Sequence, residues 1–241
     1  MASSQSPTRH NRSFLAQSEQ AAIKWIIARI PLHVKSLHLT IVGMVGSLTA
    51  AIALIGCNWS NLWLPLVAAG IVLNWFGDSL DGSLARSRKE ERPRFGFLVD
   101  HTCDLFSQIL LIVAFGLSPF LSLVSALTIL LCYLLFSAYT YIRSAVHNFH
   151  QMSYIGMGAT EFRIAMIGWA FLGAALGLRE PLVSGLSRLD TTILSLAVLA
   201  FAALMYKAFA DARELAVNEN VAIAGVTASS TQPETNNARA A

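Results

Sequence analysis

Two long stretches without a charged residue constrain this chain more than any other feature of its sequence. No Asp, Glu, Lys or Arg occurs from Ser36 to Gly77, and none from Leu105 to Ile142. Because a membrane-spanning helix needs about 20 predominantly apolar residues, each stretch is long enough for two spans. Shorter charge-free stretches at Ile164–Leu178 and Thr191–Tyr206 each supply one more span if flanking residues contribute.

The sequence therefore predicts an all-α integral membrane protein with six transmembrane helices preceded by an interfacial amphipathic helix. Backbone groups in lipid must be paired within their own segment, which makes helices the default. The predicted spans are approximately 37–57, 62–86, 95–117, 119–142, 161–178 and 190–210.

The positive charges predict how these spans are oriented. With the N-terminus inside, all 17 Lys and Arg residues except Arg179 and Arg188 fall on the inner side. Cytoplasmic loops carry such an excess of positive charge. We therefore expect the loop between the second and third spans to lie on the cytoplasmic side. The membrane itself is expected to be a bacterial inner membrane.

The chain divides into three predicted regions. Residues 1–35 form a cytoplasmic N-terminal segment, residues 36–212 the transmembrane domain, and residues 213–241 a tail. The tail has no apolar period, and we expect it to be disordered.

The N-terminal segment contains apolar residues at helical spacing, namely Ile23, Ile26, Ile27 and Ile30. This pattern predicts an amphipathic helix that ends before Pro31 and lies in the membrane interface, with Trp25 near the headgroups. The alternative is a helix packed on a protein surface.

Composition argues against several classes of function. The net charge of +3 is too small and too scattered to indicate nucleic-acid binding. The three cysteines, Cys57, Cys103 and Cys132, are odd in number and far apart, without a CxxC pair. This pattern predicts neither a disulfide framework nor a zinc site.

Four aspartates lie at the border between the second and third predicted spans. Asp78 and Asp81 are three residues apart, and Asp100 and Asp104 are four apart, so each pair shares one helix face. The short basic loop between the two helices allows the pairs to face each other across a cleft. Ionisable groups at membrane depth are costly and by default functional.

Divalent cations would relieve the repulsion among these carboxylates. Oxygen ligands suit hard ions such as Mg²⁺ or Mn²⁺. Four carboxylates can hold two ions about 4 Å apart, the arrangement that serves displacement at phosphorus. Gly82 and Ala85 leave room on the same face for a flat nucleotide, and Arg86 is placed to meet a phosphate.

This array resembles the signature of the CDP-alcohol phosphotransferase family, D-x2-D-G-x2-A-R-x8-G-x3-D-x3-D. Every named residue is present from Asp78 to Asp104, with nine residues instead of eight between Arg86 and Gly96. The resemblance implies transfer of a substituted phosphate from a CDP-alcohol to an acceptor alcohol, with release of CMP. The resemblance implies a reaction of phospholipid biosynthesis, in which the CDP-linked partner is diacylglycerol, the commoner bacterial arrangement, or a small headgroup.

The resemblance also implies roles for the four aspartates. Asp78, Asp81 and Asp100 are metal ligands for two Mg²⁺ or Mn²⁺ ions. Asp104 is the general base for the acceptor hydroxyl and stays near the second ion. A site where water meets lipid suits one soluble and one lipid-bound substrate.

Substrate contacts and assembly follow from the same resemblance. Gly82, Ala85 and Arg86 are expected to contact the CDP moiety. Arg143 and Arg163 are candidates for contacts to the acceptor or its phosphate, although positive-inside anchoring also accounts for Arg143. The family resemblance further implies a homodimer.

Two other functions share part of this pattern. A membrane prenyltransferase also uses aspartates and Mg²⁺ but needs a second Asp-rich motif far downstream, and the only aspartates after Asp104 are Asp190 and Asp211. A divalent-cation transporter would use the aspartates as transit ligands nearer the middle of the bilayer. The position of the array at one membrane border favours the transferase.

Overall fold

The computed structural model describes residues 16–147, 159–178 and 187–230, and the regular elements in these ranges are all helical. The seven α-helices are α1 (Ala16–Ile27), α2 (Ser36–Gly56), α3 (Leu64–Ser87), α4 (Pro93–Gly116), α5 (Leu123–His147), α6 (Ala159–Ala175) and α7 (Arg188–Ser230). A short 3₁₀ helix, Asn61–Trp63, precedes α3. The chain divides into two compact units, Met1–Ala197 and Val198–Ala241.

Five helical segments in the described part of the chain are long and apolar enough to cross a membrane. They are Ser36–Gly56, Asn61–Ser87, Pro93–Gly116, Leu123–Arg143 and Arg188–Asn220. The prediction of an all-helical integral membrane protein is confirmed. The remaining predicted span, 161–178, corresponds to α6, which has 17 residues. At this length α6 extends about 26 Å, less than a hydrocarbon core of about 30 Å.

Helices α2 and α3 approach each other closely through glycines. A Cβ atom added to Gly77 would lie 2.3 Å from the backbone nitrogen of Gly43, and one added to Gly46 would lie 2.4 Å from that of Asn74. Small residues at such contacts allow two membrane helices to pack backbone against backbone. Because Gly77 precedes Asp78, this contact also positions the first aspartate of the motif.

We expect Gly77→Ala to lower the thermal midpoint of the protein in detergent by several degrees. The added methyl group overpacks a contact that cannot move without separating α2 from α3, at a cost of about 1–3 kcal/mol. Gly168→Ala in α6 is the matched control, because a Cβ there meets no atom within 4 Å. Equal midpoints for the two variants would contradict the close packing of α2 on α3.

Helix α1 packs on the chain's own surface. Its apolar face and the segment that follows pack against the buried side chains of Leu39, Leu80 and Leu84, through Ile26, Ile27, Ile30 and Val34. The isoleucine face of α1 is therefore covered by other side chains of the same chain. Trp25 is 61% exposed, and the location of α1 in the membrane interface stays a prediction.

Arg88, immediately after α3, holds the segment between α1 and α2. Its guanidinium donates hydrogen bonds to the carbonyl oxygens of Ile30 at 3.2 Å, Pro31 at 3.0 Å and Leu32 at 3.3 Å, and also to that of Val34. Backbone carbonyls outside a helix need such partners. Arg88 thereby fixes the entry into α2 against the end of α3.

A tight turn connects α3 to α4. The N–H of Glu90 donates to the carbonyl of Ala85 at 3.0 Å, and the N–H of Lys89 donates to that of Arg86 at 3.2 Å. Lys89 has a φ of 56°, the left-handed conformation that closes this type of helix end. Pro93 then begins α4, so only a short connection separates the two aspartate pairs.

Asp190 joins the starts of α5 and α7. The hydroxyls of Ser122 and Ser125 donate to its Oδ1, and the N–H of Ser187 donates to its Oδ2 at 3.0 Å. The N–H of Asp190 donates in turn to the hydroxyl of Ser187 at 3.1 Å, which completes a reciprocal cap. This buried carboxylate has a structural role, which does not suit the second acidic motif of a prenyltransferase.

The C-terminal region differs from the sequence prediction. Residues 213–230, expected to be disordered, continue α7. Within the second unit, Lys207 pairs with Asp211 at 2.6 Å, and the Arg213 guanidinium lies 4.6 Å from the ring centroid of Phe209. These pairs, each four residues apart, stabilise α7 where the continuation begins. Residues 1–15 and 231–241 of the two predicted terminal regions lie outside the described residues.

Candidate active site

Four aspartates from two helices line one cleft. Helix α3 contributes Asp78 and Asp81, and α4 contributes Asp100 and Asp104. The cleft has an empty volume of about 230 Å³, which includes space open to solvent. One carboxylate oxygen from each of Asp78, Asp100 and Asp104 lies within 4.8 Å of the other two. The two pairs that were predicted from helical spacing therefore meet in space.

Small and polar side chains complete the walls of this cleft. They come from α2, α3 and α4, and are Thr40, Gly43, Met44, Asn74, Cys103 and Ser107. Helix α2 thus forms a third wall, although the sequence motif lies entirely on α3 and α4. The close glycine packing brings α2 near enough to reach the aspartates.

Asp81 is oriented differently from the other three aspartates. Its Oδ2 accepts a hydrogen bond from the Thr40 hydroxyl at 2.6 Å, and its Oδ1 accepts one from the N–H of Gly82 at 2.5 Å. The residue is 6% exposed. Asp81 therefore lines the cleft but stands outside the group of three, and Thr40 sets its orientation.

Arg163 on α6 reaches the first aspartate of the motif. Its Nη2 donates to Oδ2 of Asp78 at 2.6 Å, and its Nε donates to Oδ1 of Asn74 at 2.9 Å. The Asn74 amide donates in turn to Oγ of Ser47 at 2.8 Å and to the carbonyl of Gly43 at 3.3 Å. Charge-assisted bonds of this kind are strong and directional. Arg163, which is 4% exposed, therefore orients Asp78.

The residues predicted to contact CDP follow the first aspartate pair along α3. A Cβ atom on Gly82 would lie 3.3 Å from Nη1 of Arg86, so the guanidinium lies over this glycine. Nη2 of Arg86 donates to the hydroxyl of Ser83 at 3.0 Å. Ala85 is half-buried. Arg143 on α5 is also half-buried and is not among the described residues that line the cleft.

Two residues that hydrogen-bond to charged side chains of this site, Asn74 and Thr40, received no role in it from the sequence. Asn74 lies one helical turn before Asp78, and its amide is a polar group within an apolar span, a signal that indicates a function or a buried contact. Thr40 had a weaker signal as a single hydroxyl near the start of α2. Neither signal identifies the partner, because both contacts join distant parts of the chain.

Comparison with protein families matches residues 36–224 to the CDP-alcohol phosphatidyltransferase family. The matched region covers well over half of the 241 residues. The chain belongs to this family. The match begins at the first residue of α2 and includes the complete aspartate array. Among curated proteins, no sequence matches the chain significantly. Members of the family transfer a substituted phosphate from a CDP-alcohol and use divalent metals, as the motif implied.

The three gathered aspartates fit the divalent ions that the family uses. Carboxylate oxygens are the ligands that Mg²⁺ and Mn²⁺ prefer. Two oxygens on one Mg²⁺ ion lie at most about 4.2 Å apart, because each bond is about 2.1 Å long. A spacing within 4.8 Å among Asp78, Asp100 and Asp104 can close around an ion through small side-chain movements.

Proposed function

We propose that the protein transfers the phosphatidyl group of CDP-diacylglycerol to an acceptor alcohol and releases CMP, as a step of phospholipid biosynthesis. The observation that carries this proposal is the meeting of Asp78, Asp100 and Asp104 in one cleft within the region matched to the family. Family membership favours this reaction over a prenyltransferase or a cation transporter.

Two Mg²⁺ or Mn²⁺ ions complete the proposed site. When bound, they neutralise the diphosphate and stabilise the departing phosphate of CMP. Asp78, Asp81 and Asp100 hold these ions, and Asp104 lies close enough to contribute to the second. Arg163 fixes the orientation of Asp78 from α6.

Asp104 acts as the general base in this proposal. The acceptor hydroxyl gives its proton to the Asp104 carboxylate while its oxygen bonds to the phosphorus of the lipid-bearing phosphate. The bond from that phosphorus to the oxygen of CMP breaks, and CMP leaves with the electron pair. A positioned base contributes about 10²–10⁴-fold to such a step.

The substrates bind at the two ends of the aspartate array. Gly82 and Ala85 provide a surface for the CDP moiety, and Arg86, which can swing away from Ser83, pairs with a phosphate oxygen. Arg143, outside the cleft lining, is proposed as a contact to the acceptor or its phosphate. Arg163 has a second use in this proposal, since its Nη1 can meet an acceptor phosphate while its other nitrogens hold α3.

The proposal includes a location and an assembly. We propose six spans, with α6 as the fifth, and a cleft at the cytoplasmic side of a bacterial inner membrane, as the positive-inside distribution suggests. Helix α1 lies at the same border with the exposed Trp25 at headgroup level. Membrane lipid surrounds the spans, and two chains form a homodimer.

Release of CMP from CDP-diacylglycerol by the purified full chain in detergent tests the proposed function. Glycerol phosphate, serine and inositol phosphate are offered separately as acceptors, and a reaction without acceptor is the control. We expect release with one acceptor and little without any. Release with none of them, together with turnover of an isoprenyl diphosphate or Mn²⁺ uptake into proteoliposomes, would favour one of the other functions.

A further inference from the structure

Glu19 on α1 connects three helices through a single oxygen atom. Its Oε1 accepts hydrogen bonds from Nε1 of Trp75 at 2.9 Å, from Oγ of Ser79 at 3.3 Å and from Oγ1 of Thr160 at 2.6 Å. Trp75 and Ser79 belong to α3, and Thr160 lies in the first turn of α6. We call these four residues the Glu19 junction.

The Glu19 junction lies directly beside the contacts that orient the first aspartate. On α3, Trp75 and Ser79 follow Asn74 and Asp78, the two residues that Arg163 holds. Neighbouring residues of α3 thus have different partners. Asn74 and Asp78 bond to Arg163 on α6. Trp75 and Ser79 bond to Glu19 on α1.

Thr160 connects the two sets of contacts. It lies three residues before Arg163, less than one turn along α6. A helix turn moves nearly as a rigid body, so a restraint on Thr160 also restrains the backbone of Arg163. The Thr160 hydroxyl therefore holds the first turn of α6 at a fixed distance from α3.

The carboxylate is well suited to this role. Hydrogen bonds to an ionised acceptor are shorter and stronger than neutral ones, and all three donors converge on one oxygen atom of a half-buried residue. Separation of the donors would also destabilise the fold. The half-buried carboxylate has lost part of its hydration, and it would then have no hydrogen bonds to replace that hydration. The charge of Glu19 thus favours the one arrangement in which α1, α3 and α6 meet.

Glu19 lies outside the region that defines the family. The family match begins at residue 36, so Glu19 and the rest of α1 precede it, whereas its three hydrogen-bond donors lie within the matched region. None of the four junction residues is a named residue of the aspartate motif.

We propose that Glu19 is a positioning residue of the metal site, which fixes α6 against α3 and so keeps Arg163 on Asp78. The inference rests on the proposed function, because it takes Asp78 as a metal ligand. Partners that orient a metal ligand typically change metal affinity by about 10–100-fold when they are removed. Since Glu19 acts through Arg163, we expect an effect near the lower limit.

The test measures Mn²⁺ affinity and steady-state kinetics of full-length variants in detergent. The electron paramagnetic resonance signal of free Mn²⁺ reports binding without any turnover. Glu19→Ala is expected to weaken Mn²⁺ binding about 10-fold and to lower kcat, with the KM for CDP-diacylglycerol nearly unchanged. Gln20→Ala, at the exposed neighbouring position of α1, is the matched control and should behave like the unmodified protein.

Two further variants separate positioning from a simple attachment of α1. Thr160→Val removes only the bond to α6 and leaves the bonds between α1 and α3, yet we expect it to weaken Mn²⁺ binding as Glu19→Ala does. Glu19→Gln keeps an acceptor oxygen at the same place but removes the charge, so it should recover part of the Mn²⁺ affinity. The double variant Glu19→Ala/Thr160→Val should be no weaker than Glu19→Ala alone.

An unchanged Mn²⁺ affinity in Thr160→Val would overturn the proposal, even if Glu19→Ala lowered the thermal midpoint. Thr160→Val also decides the question if Glu19→Ala does not fold. If the unmodified protein binds Mn²⁺ but releases no CMP with any acceptor, the proposed function fails and the positioning test still stands. If the unmodified protein binds Mn²⁺ and releases CMP, and Thr160→Val has the same Mn²⁺ affinity, only the positioning role of Glu19 fails.

Discussion

Asp104→Asn is expected to lower kcat about a thousandfold, within the range of about 10²–10⁴ that a general base contributes. Asparagine has nearly the same shape as aspartate, so the cleft between α3 and α4 keeps its form. The amide cannot accept the proton of the acceptor hydroxyl. Binding of the CDP-alcohol should change little, because Gly82, Ala85 and Arg86 remain in place.

Single-turnover release of CMP and equilibrium binding of a labelled CDP-alcohol measure the two quantities separately. Thr102→Ala is the matched control, since Thr102 is exposed on the same helix. Its turnover should equal that of the unmodified protein. If Asp104→Asn kept full turnover, Asp104 would not be the base.

Removal of divalent ions with EDTA is expected to stop turnover completely. Without ions, the four carboxylates that line the cleft repel the diphosphate of the donor, because like charges a few ångströms apart destabilise each other. Addition of Mg²⁺ or Mn²⁺ in excess over the chelator should restore the original rate. Both ions have the hard character that oxygen ligands prefer.

The measurement is CMP release before chelation, after chelation and after the return of each ion. The thermal midpoint of the chelated protein is the control, because it shows whether the helices remain folded during the inactive phase. Sustained turnover by metal-free, folded protein would contradict the proposed role of the ions.

The spans could be predicted from the sequence because the bilayer imposes a simple rule on composition. A charge-free stretch such as Ser36–Gly77 must cross the membrane or be buried, and both helices that it predicts are present as α2 and α3. The continuation of α7 through residues 213–230 was not predicted. The pair of Lys207 and Asp211 stabilises α7 just before that stretch, and the sequence of the stretch itself has no apolar period.

The aspartate pairs could be predicted because helical spacing alone places each pair on one face. The contacts that orient these aspartates could not be predicted from the sequence. Arg163 and Asp78 are 85 residues apart, and Thr40 and Asp81 are 41 apart. No local period relates residues at such separations. They meet because glycines bring α2 against α3 and because α6 packs beside them.

The orientation of α1 depended on the same kind of information. The isoleucine pattern predicts an apolar face, but it does not identify what covers that face. In the structure, this apolar face packs against Leu39, Leu80 and Leu84. Glu19 had no pattern of its own, since a single acidic residue near the start of a helix usually interacts only with the helix dipole.

Mn²⁺ binding to the full-length chain tests the central claim most directly, which is that aspartates from α3 and α4 act together as one metal site. Titrations followed by electron paramagnetic resonance would compare the unmodified protein with Asp78→Asn on α3 and Asp100→Asn on α4. The account predicts two bound ions in the unmodified protein and at least about tenfold weaker binding in each variant. Equal Mn²⁺ binding by all three proteins would contradict it.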